Sequence, residues 1–281
     1  MTVPDLDLHD GATIPQLGFG VFQIPPEDTK EAVLKAFETG YRHIDTAQMY
    51  GNEKEVGEAI AESGLAREEI FVTTKLNNNN HRPEDVRSSF DESLQKLGLD
   101  HVNLFLIHWP MPGEYDGDYV STWKTMVELR DAGKTTSVGV SNFEPDHLER
   151  IVEETGQVPV INQIEVHPYF ANDTARAATA KHGALVEAWS PIAQGDVLGD
   201  DTLQAIADDV NRSTAQVALR WHIQRGDIVF PKSVTPKRIE SNFALFDFEL
   251  DEDQMARISQ LDRGEDGRRG PHPQTMNVLP E

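Results

Sequence analysis

The chain has 281 residues, with 48 acidic side chains, 25 basic side chains and no cysteine, which gives a formal net charge of −23. Without cysteine there is no disulfide, thiol nucleophile or thiolate metal site, so any chemistry must come from oxygen and nitrogen groups or from a bound cofactor. The acidic balance argues against a nucleic-acid partner, because phosphate binding needs clustered Lys and Arg.

The start of the chain, MTVPDLDLHD, has neither the basic residues nor the apolar block of a secretory signal. The longest apolar stretch, VNLFLIHW, is too short to span a bilayer. We therefore expect a soluble, cytoplasmic protein with no membrane part. Most of the acidity is interpreted as solvated surface, and a salt-rich host is the alternative explanation.

Short apolar runs alternate with longer segments of helical spacing along the chain. A hairpin is predicted in LDLHDGATIPQLGFG, with Asp10 and Gly11 in the turn. Eight nearly continuous apolar runs, typical of strands buried on both faces, read LGFGVF, YRHIDT, IFVTTK, VNLFLIHW, TTSVGVS, VINQIE, LVEAWS and DIVFPK. The predicted helices between them are Pro26–Glu38, Glu53–Glu62, Pro83–Leu97, Tyr119–Asp131, Glu144–Glu154, Asn172–Lys181 and Thr202–Asp209.

This alternation, with no linker, predicts an α/β fold in which residues 1–281 form a single (β/α)8 TIM barrel domain. An open doubly wound sheet needs about the same elements and stays possible on the pattern alone. In such barrels the functional site lies at the carboxyl ends of the strands. The predicted strands end in polar residues, namely Asp45, Lys75, His108, Ser141, Asn142, Gln163, Glu165, Ser190, Lys232 and Ser233.

Four polar groups near consecutive strand ends make a candidate proton-donating set: Asp45, Tyr50, Lys75 and His108. A Tyr has a pKa near about 10, which a neighbouring ammonium lowers. Asp45 would keep Lys75 charged, and His108 could orient a carbonyl or share its proton. Singly, each residue is more often structural, as an ion pair, a packed phenol or a core histidine. Together they predict carbonyl reduction, in which hydride reaches carbon and Tyr50 protonates oxygen.

Successive segments resemble signatures of the aldo-keto reductase family in the family's order, namely IDTAQMYGNEKEVG, TTKL, LFLIHWP, GVSNF, NQIEVHPY, EAWSPIAQG and PKSVTPKRIESNF. The resemblance covers almost the whole chain and is greatest to bacterial 2,5-diketo-gluconate reductases, partly through the ending GRRGPHP. It implies a (β/α)8 barrel with an N-terminal β-hairpin closing the bottom. It also implies that Asp45, Tyr50, Lys75 and His108 are the catalytic tetrad, with Tyr50 as the general acid.

The resemblance implies NADPH/NADP+ as the cofactor, bound without a Rossmann domain. In agreement, GFGVFQ at 18–23 lacks the third Gly and the acidic residue of the dinucleotide fingerprint. The implied contacts to the nicotinamide are Ser141, Asn142 and Gln163 on its carboxamide, Trp189 stacked on its ring, and Ser190 beside it. Gly18 and Gly20 are interpreted as permitting a tight turn near the substrate or as a purely steric requirement.

The segment PKSVTPKRIESN concentrates positive charge in an otherwise acidic chain, which suggests a phosphate site after the last strand. The resemblance implies that Lys232, Ser233 and Arg238 contact the adenosine 2′-phosphate and that Asn242 lies near adenine. NADPH is therefore expected over NADH. Ser241 departs from the Glu common at its position, which affects the expected adenine contacts only.

The substrate pocket is expected to be lined by Phe22, Met49 and Trp109, by resemblance. Asn77 stands where relatives often have Trp, which predicts a wider or more polar pocket. The loop Met111–Asp118 and the tail after Gly264 are expected to complete the mouth. In that tail the basic residues Arg268, Arg269 and His272 could attract an acidic sugar, or could belong to a charged tail with no role in binding.

No metal site is predicted, because His81 is expected in an exposed loop and His167 in local hydrogen bonding. The leading hypothesis is a monomer that reduces aldehydes or ketones with NADPH, including keto-sugar acids or small dicarbonyls. The alternative is a redox sensor or regulatory subunit that binds the cofactor with little turnover. A third possibility is an aldolase with Lys75 as the Schiff-base amine, which Asp45 disfavours by keeping that amine protonated.

Overall fold

The computed structural model describes residues 2–280, which contain ten strands and ten α-helices. The strands are β1 Asp5–Asp7, β2 Thr13–Pro15, β3 Phe19–Gly20, β4 His43–Asp45, β5 Phe71–Leu76, β6 Val102–Ile107, β7 Thr135–Ser141, β8 Ile161–Glu165, β9 Leu185–Trp189 and β10 Ile228–Val229. The helices are α1 Pro26–Thr39, α2 Glu53–Glu62, α3 Pro83–Leu97, α4 Tyr119–Asp131, α5 Pro145–Thr155, α6 Asp173–Lys181, α7 Asp201–Val210, α8 Thr214–Gln224, α9 Pro236–Phe243 and α10 Glu252–Ser259.

Strands β3 to β10 form one parallel sheet in chain order, with helices packed around it. The sheet closes on itself just before β3, where Leu17 bridges to Val229 of β10. Gly18 N donates to Val229 O at 2.8 Å, and Val229 N donates to Gln16 O at 3.1 Å. The predicted (β/α)8 barrel is therefore confirmed, and the open sheet is excluded.

The N-terminal hairpin forms the floor of this barrel. Strands β1 and β2 pair antiparallel, with Leu6 opposite Ile14. Ile14 and Leu8 are buried in one apolar cluster with Leu104, Ile161 and other residues from the strands. These residues fill most of the N-terminal end of the barrel with apolar side chains.

Side chains alternate between the inside and outside of the barrel along each strand, as the period of two requires. On β9, Leu185 packs against the apolar floor, Glu187 is fully buried above it, and Trp189 lies at the C-terminal rim. The barrel interior therefore has an apolar floor, a buried polar layer and a rim that opens into a cavity.

The helix prediction was incomplete after β9. Two helices, α7 and α8, separate β9 from β10, and the sequence pattern had given only the first. A signal for α8 was available, since Ser213 and Gln216 form a capping box in which Ser213 Oγ accepts from Gln216 N at 3.2 Å. None of the described helices has the length and apolarity needed to cross a membrane.

Candidate active site

A cavity of about 520 Å³ opens at the C-terminal rim of the barrel. This volume lies within the range of about 300–1,000 Å³ that is usual for small-molecule sites. Most of the residues predicted for a site line this one cavity, namely Gly20, Phe22, Asp45, Met49, Tyr50, His108, Trp109, Ser141, Asn142, Gln163, Trp189, Ser190 and Lys232. The rim is therefore the candidate active site.

At the bottom of the cavity, the buried Lys75 ammonium is held by three acceptors. Its Nζ donates to Asp45 Oδ1 at 2.6 Å, to Thr46 O at 2.9 Å and to Tyr50 Oη at 3.2 Å. An ammonium has three N–H groups, so each is used once. Since Tyr50 Oη accepts from Lys75, its own hydrogen is free to point toward the cavity.

The local chain path brings Tyr50 back over the strand ends. Parallel pairing of β4 with β5 places Asp45 opposite Thr73, two residues before Lys75. After β4, a single 3₁₀ turn at Gln48–Tyr50 ends at Gly51, whose φ of 70° lies in the left-handed region that suits glycine. The Tyr50 ring packs between Phe22, at 5.0 Å between centroids, and His108, at 5.7 Å.

Burial controls the protonation of these groups. Burial raises the pKa of Tyr50, and the Lys75 ammonium only partly offsets this, so the expectation of a lowered pKa was wrong for the protein alone. Burial by itself would lower the pKa of Lys75, but Asp45 and Tyr50 raise it. Lys75 is thus an ammonium, which argues against the Schiff-base alternative.

His108 is a neutral imidazole at physiological pH. Burial, and then the charge of Lys75, hold its pKa well below the ordinary value of 6.5. Its Nδ1 is buried with no hydrogen-bond partner in the described part of the chain. A neutral imidazole can orient a substrate oxygen with its N–H group. To share a proton as an acid, the ring would have to be a protonated imidazolium, which it is not.

A second network surrounds the indole of Trp189. Trp189 Nε1 donates to Asn142 Oδ1 at 2.8 Å, and Asn142 Nδ2 donates to His108 O at 2.9 Å. Ser141 Oγ donates to Gln163 O at 2.8 Å. Asn142 has a φ of 61°, a left-handed conformation that Asn tolerates better than most residues. The network fixes the Trp189 ring beside the histidine.

Glu187 belongs to the same buried layer and was missed in the sequence. Gln163 Nε2 donates both to Asp45 Oδ2, at 2.9 Å, and to Glu187 Oε2, at 2.8 Å. The signal was an acidic residue in the middle of the apolar strand run LVEAW. Because the alternation of β9 places Glu187 and Trp189 on the same face, this acid points into the barrel.

Another missed feature is the docking of the C-terminal tail on Glu165. The buried Glu165 carboxylate accepts from Arg269 N at 2.6 Å, from Gly270 N at 2.9 Å, and pairs with His167 Nε2 at 3.0 Å. A Cβ on Gly270 would lie 2.3 Å from Trp189 Cη2. The tail backbone therefore packs directly on the indole ring and covers one side of the cavity.

Of the three basic tail residues considered for substrate attraction, only Arg269 lines the cavity. Its Nε donates to Asp196 Oδ2 at 2.7 Å. Arg268 instead pairs with Glu265, and the exposed His272 accepts from Gln274 N. Neither Arg268 nor His272 lines the cavity, which favours the alternative of a charged tail for these two residues.

Two glycines before the cavity are required by close packing. A Cβ on Gly18 would lie 2.7 Å from His43 Nδ1, and one on Gly20 would lie 2.6 Å from Phe230 O. Neither has a positive φ. The steric interpretation is therefore confirmed over that of a special turn. Asn77 contributes no side chain to the cavity wall, since its Oδ1 instead accepts from Asn78 N.

The predicted phosphate-binding residues extend from the cavity along the loop after β10 into α9. Lys232 lies at the cavity, whereas Ser233, Arg238 and Asn242 lie beyond its lining. Lys232, Lys237 and Arg238 are exposed, and none of them forms an ion pair within residues 2–280. These cations are available to a ligand that extends out of the cavity.

The structure corrects the expectation for His81. This residue is buried, stacked on Tyr115 at 5.2 Å between centroids, with Nδ1 3.3 Å from Thr122 Oγ1. It was expected to be exposed because the loop sequence is polar, but Tyr115 covers it. The described residues contain no group of three or more potential metal ligands.

Comparison with known proteins identifies related chains. The model of the aldo/keto reductase family matches residues 16–263. An aldo-keto reductase of Mycolicibacterium smegmatis is 50% identical over 274 residues, 98% of each chain. The methylglyoxal reductase DkgA of Escherichia coli K12 is 45% identical over 270 residues, 95% of this chain and 96% of the relative. The crystal structure of a Gox0644 variant in complex with NADPH has a TM-score of 0.94 and 45% identity, covering 99% of this chain and all of that one.

Proposed function

This chain belongs to the aldo/keto reductase family, and we propose that it reduces small aldehydes and ketones to alcohols with NADPH. The observation that carries the proposal is the Asp45–Lys75–Tyr50 chain of hydrogen bonds, which ends with the Tyr50 hydroxyl facing an apolar cavity beside a neutral histidine. Such a set can protonate a carbonyl oxygen without a metal ion.

Several groups of the cavity fit a nicotinamide cofactor. Gln163 gives both N–H groups to carboxyls, and its side-chain oxygen has no hydrogen-bond partner within residues 2–280, so it can accept from a carboxamide. The indole of Trp189 faces the cavity, next to Ser190. We propose that Gln163, Ser141 and Asn142 hold the carboxamide and that Trp189 stacks on its ring. When bound, NADPH supplies the hydride that reduces the carbonyl carbon.

The distal part of NADPH fits the exposed cations after β10. We propose that Lys232, Ser233 and Arg238 hold the 2′-phosphate and that Asn242 lies near adenine. Arg offers a bidentate partner to phosphate, and the free lysine adds a point charge. A Gox0644 variant is described as a complex with NADPH, which supports this cofactor by similarity.

Proton delivery is assigned to Tyr50. Lys75 donates to the phenol oxygen, so it stabilises the phenolate that forms as Tyr50 gives its hydrogen to the substrate oxygen. Asp45 keeps Lys75 charged and in place. Neutral His108 orients the substrate oxygen toward Tyr50. The proton donor, the stabilising charge and the orienting group are thus supplied by different residues.

The substrate class is set by an apolar wall. Phe22, Met49, Trp109 and Met276 line the cavity, and with a substrate bound they would exclude water around Tyr50. We propose small dicarbonyls and keto-sugar acids such as 2,5-diketo-gluconate as substrates. The methylglyoxal reductases among the relatives support the first class. Arg269 at the cavity would attract an anionic substrate, which supports the second.

The proposal is tested by mixing the protein with NADPH and a panel that includes methylglyoxal and 2,5-diketo-gluconate, then following the loss of NADPH absorbance. We expect multiple turnovers with at least one carbonyl. Quenching of tryptophan fluorescence measures cofactor binding in parallel. Cofactor binding without repeated turnover on any carbonyl would overturn the reductase assignment and favour a redox sensor.

Replacing Arg238 with Ala is expected to weaken NADPH binding selectively. Hydrogen bonds to charged groups are worth about 1.5–3 kcal/mol, so KM for NADPH should rise by roughly tenfold to hundredfold. KM for NADH should change little, because NADH lacks the 2′-phosphate. Arg257→Ala, on exposed α10, is the matched control for loss of one positive charge. Equal effects on both cofactors would place the phosphate elsewhere.

Replacing Gly270 with Ala is expected to disturb the cofactor side of the cavity. The new Cβ would lie 2.3 Å from Trp189 Cη2, so the tail or the ring must move. A misplacement of about 1 Å near the reacting groups can lower the rate by about a hundredfold, so we expect kcat/KM to fall by roughly tenfold or more. Gly113→Ala, where a Cβ meets nothing within 4 Å, should leave kcat/KM unchanged. Similar kinetics for both variants would mean that the tail does not position Trp189.

A further inference from the structure

Two buried carboxyl groups share one amide beneath the proposed proton donor. Gln163 Nε2 lies 2.9 Å from Asp45 Oδ2 and 2.8 Å from Glu187 Oε2. Asp45 and Glu187 are both almost completely buried. An amide nitrogen has two hydrogens, so each carboxyl receives one of them. The side chain of Gln163 therefore connects Glu187 to the Asp45–Lys75 pair.

The two carboxyls have unequal partners. Asp45 Oδ1 accepts from the Lys75 ammonium at 2.6 Å. Glu187 Oε1 has no hydrogen-bond partner among the described residues, and its nearest basic atom is His43 Nε2 at 3.9 Å. Burial lowers the pKa of His43 to about 3, so that ring is neutral. On β10 the residue opposite Glu187 is the apolar Ile228.

One ammonium thus faces two buried carboxyls, and both cannot be ionised without an unpaired buried charge. The proton belongs on Glu187, because Asp45 holds the ammonium. In agreement, burial and the Asp45 charge raise the pKa of Glu187 to about 8. The layer is then neutral overall near pH 7, with Asp45 as the single counter-ion of Lys75.

We propose that Glu187 is a positioning residue for carbonyl reduction. As a neutral acid it leaves Lys75 paired with Asp45 alone, and when it ionises it weakens Tyr50 as a proton donor. This inference rests on the proposed reductase function. The ionised carboxylate would add a second negative charge next to the Lys75 ammonium. That charge disfavours the phenolate of Tyr50 and so makes the phenol a weaker acid.

Burial also raises the pKa of Asp45, but the Lys75 charge and the hydrogen bonds from Lys75 and Gln163 oppose this rise, so Asp45 is the ionised carboxyl of the two. The other titratable groups around this layer keep their charge between pH 7 and 9. Burial and Lys75 hold the pKa of His108 well below 6.5, and His43 is neutral throughout. The pKa of Lys75 is raised above its ordinary value of 10.5, and burial raises that of Tyr50 above 10.0. Ionisation of Glu187 is therefore the change that an alkaline rate profile would report.

The experiment measures the single-turnover rate of carbonyl reduction with NADPH already bound, from pH 6 to pH 10, in the wild type and in Glu187→Gln. A rise of about one unit in the pKa of the donor lowers the rate about threefold when the proton is partly transferred in the transition state. We expect the wild-type rate to fall by about this factor or more as pH rises through 8. Glu187→Gln should match the wild type at pH 6.5 and lose this alkaline fall. Superimposed profiles would overturn the proposal.

The matched control is Glu53→Gln. Glu53 is also a buried carboxyl with a pKa raised by burial, but it lies on α2, where its Oε1 accepts from Thr74 Oγ1 at 2.6 Å. This variant should keep the wild-type alkaline fall. Loss of the alkaline fall in rate in Glu53→Gln as well would mean that a group other than Glu187 causes the fall.

A second measurement does not need a folded Glu187 variant. Infrared spectra of the Glu53→Gln protein should contain a protonated carboxyl C=O band that disappears as pH rises through 8. Absence of such a titrating band would contradict the inference that Glu187 is protonated near pH 7. A wild type that reduces no carbonyl would refute the reductase function itself, whereas an active wild type with unaltered Glu187→Gln kinetics refutes only the role of Glu187.

Discussion

Replacing Tyr50 with Phe is expected to lower the rate of carbonyl reduction by about 10²- to 10⁴-fold, the usual contribution of a positioned general acid. The substitution removes only the hydroxyl that accepts from Lys75, and the ring contacts with Phe22 and His108 can stay. Cofactor affinity should be unchanged, since no proposed cofactor contact involves the phenol. The measurement is kcat with saturating NADPH, together with cofactor binding followed by tryptophan fluorescence.

Tyr169→Phe is the matched control for this substitution. The Tyr169 hydroxyl also makes one hydrogen bond, to Asp200 Oδ2 at 2.9 Å, but the residue does not line the cavity. Its kcat should equal that of the wild type. If Tyr50→Phe retained more than about a tenth of the wild-type rate, another group would have to deliver the proton.

The barrel and the polar residues at its rim can be predicted from local patterns in the sequence. Parallel strands of one sheet bring their carboxyl ends to the same edge, so the polar residues ending successive apolar runs had to meet. Asp45, Lys75 and His108 satisfy this rule, and Tyr50 follows within one 3₁₀ turn. The meeting of Asp45, Lys75 and His108 required no knowledge of loop conformation, whereas the position of Tyr50 depends on the turn after β4.

Glu187 shows why part of the site was missed. Whether a residue within a buried strand faces the barrel interior depends on the pleat of that strand, and an apolar run gives little sign of which face is which. Trp189, on the same face, fixes the answer only once β9 and its register are known. The charge of the layer also depends on distances between four strands, which no local pattern encodes.

The path of the C-terminal tail could not be predicted from local sequence patterns, for a different reason. Its path is set by two backbone amides meeting Glu165, more than 100 residues away in the chain. Backbone N–H groups are present in every residue except proline, so the composition of GRRGPHP does not reveal which amides bind. Gly267 and Gly270 do leave a trace, because a Cβ on Gly267 would lie against Tyr169 O and a Cβ on Gly270 would collide with Trp189.

Replacing Lys75 with Met is expected to lower both activity and stability. The ammonium that stabilises the developing phenolate is lost, so kcat should fall by at least about a hundredfold. Asp45 would remain buried without its counter-ion, which costs about 3–5 kcal/mol when one partner of a buried pair is removed. The measurements are the single-turnover rate and the free energy of unfolding from denaturant titration at pH 7.

The double variant Asp45→Asn with Lys75→Met separates these two effects. Because both charges are gone, its free energy of unfolding should return to within about 1–2 kcal/mol of the wild type, while its activity stays at the level of Lys75→Met. An unpaired buried Asp45 would have a folded pKa above its unfolded value. Its destabilising effect is therefore full above the folded pKa and vanishes below the unfolded pKa.

The stability gap between Lys75→Met and the double variant should accordingly shrink as pH falls from 7 toward 4. A gap that is absent at pH 7 would mean that Asp45 takes up a proton or finds another partner. A double variant that regained activity would mean that Tyr50 needs no neighbouring ammonium. Restored stability without restored activity would mean that the fold does not need the buried ion pair. The pair would then be needed to stabilise the Tyr50 phenolate.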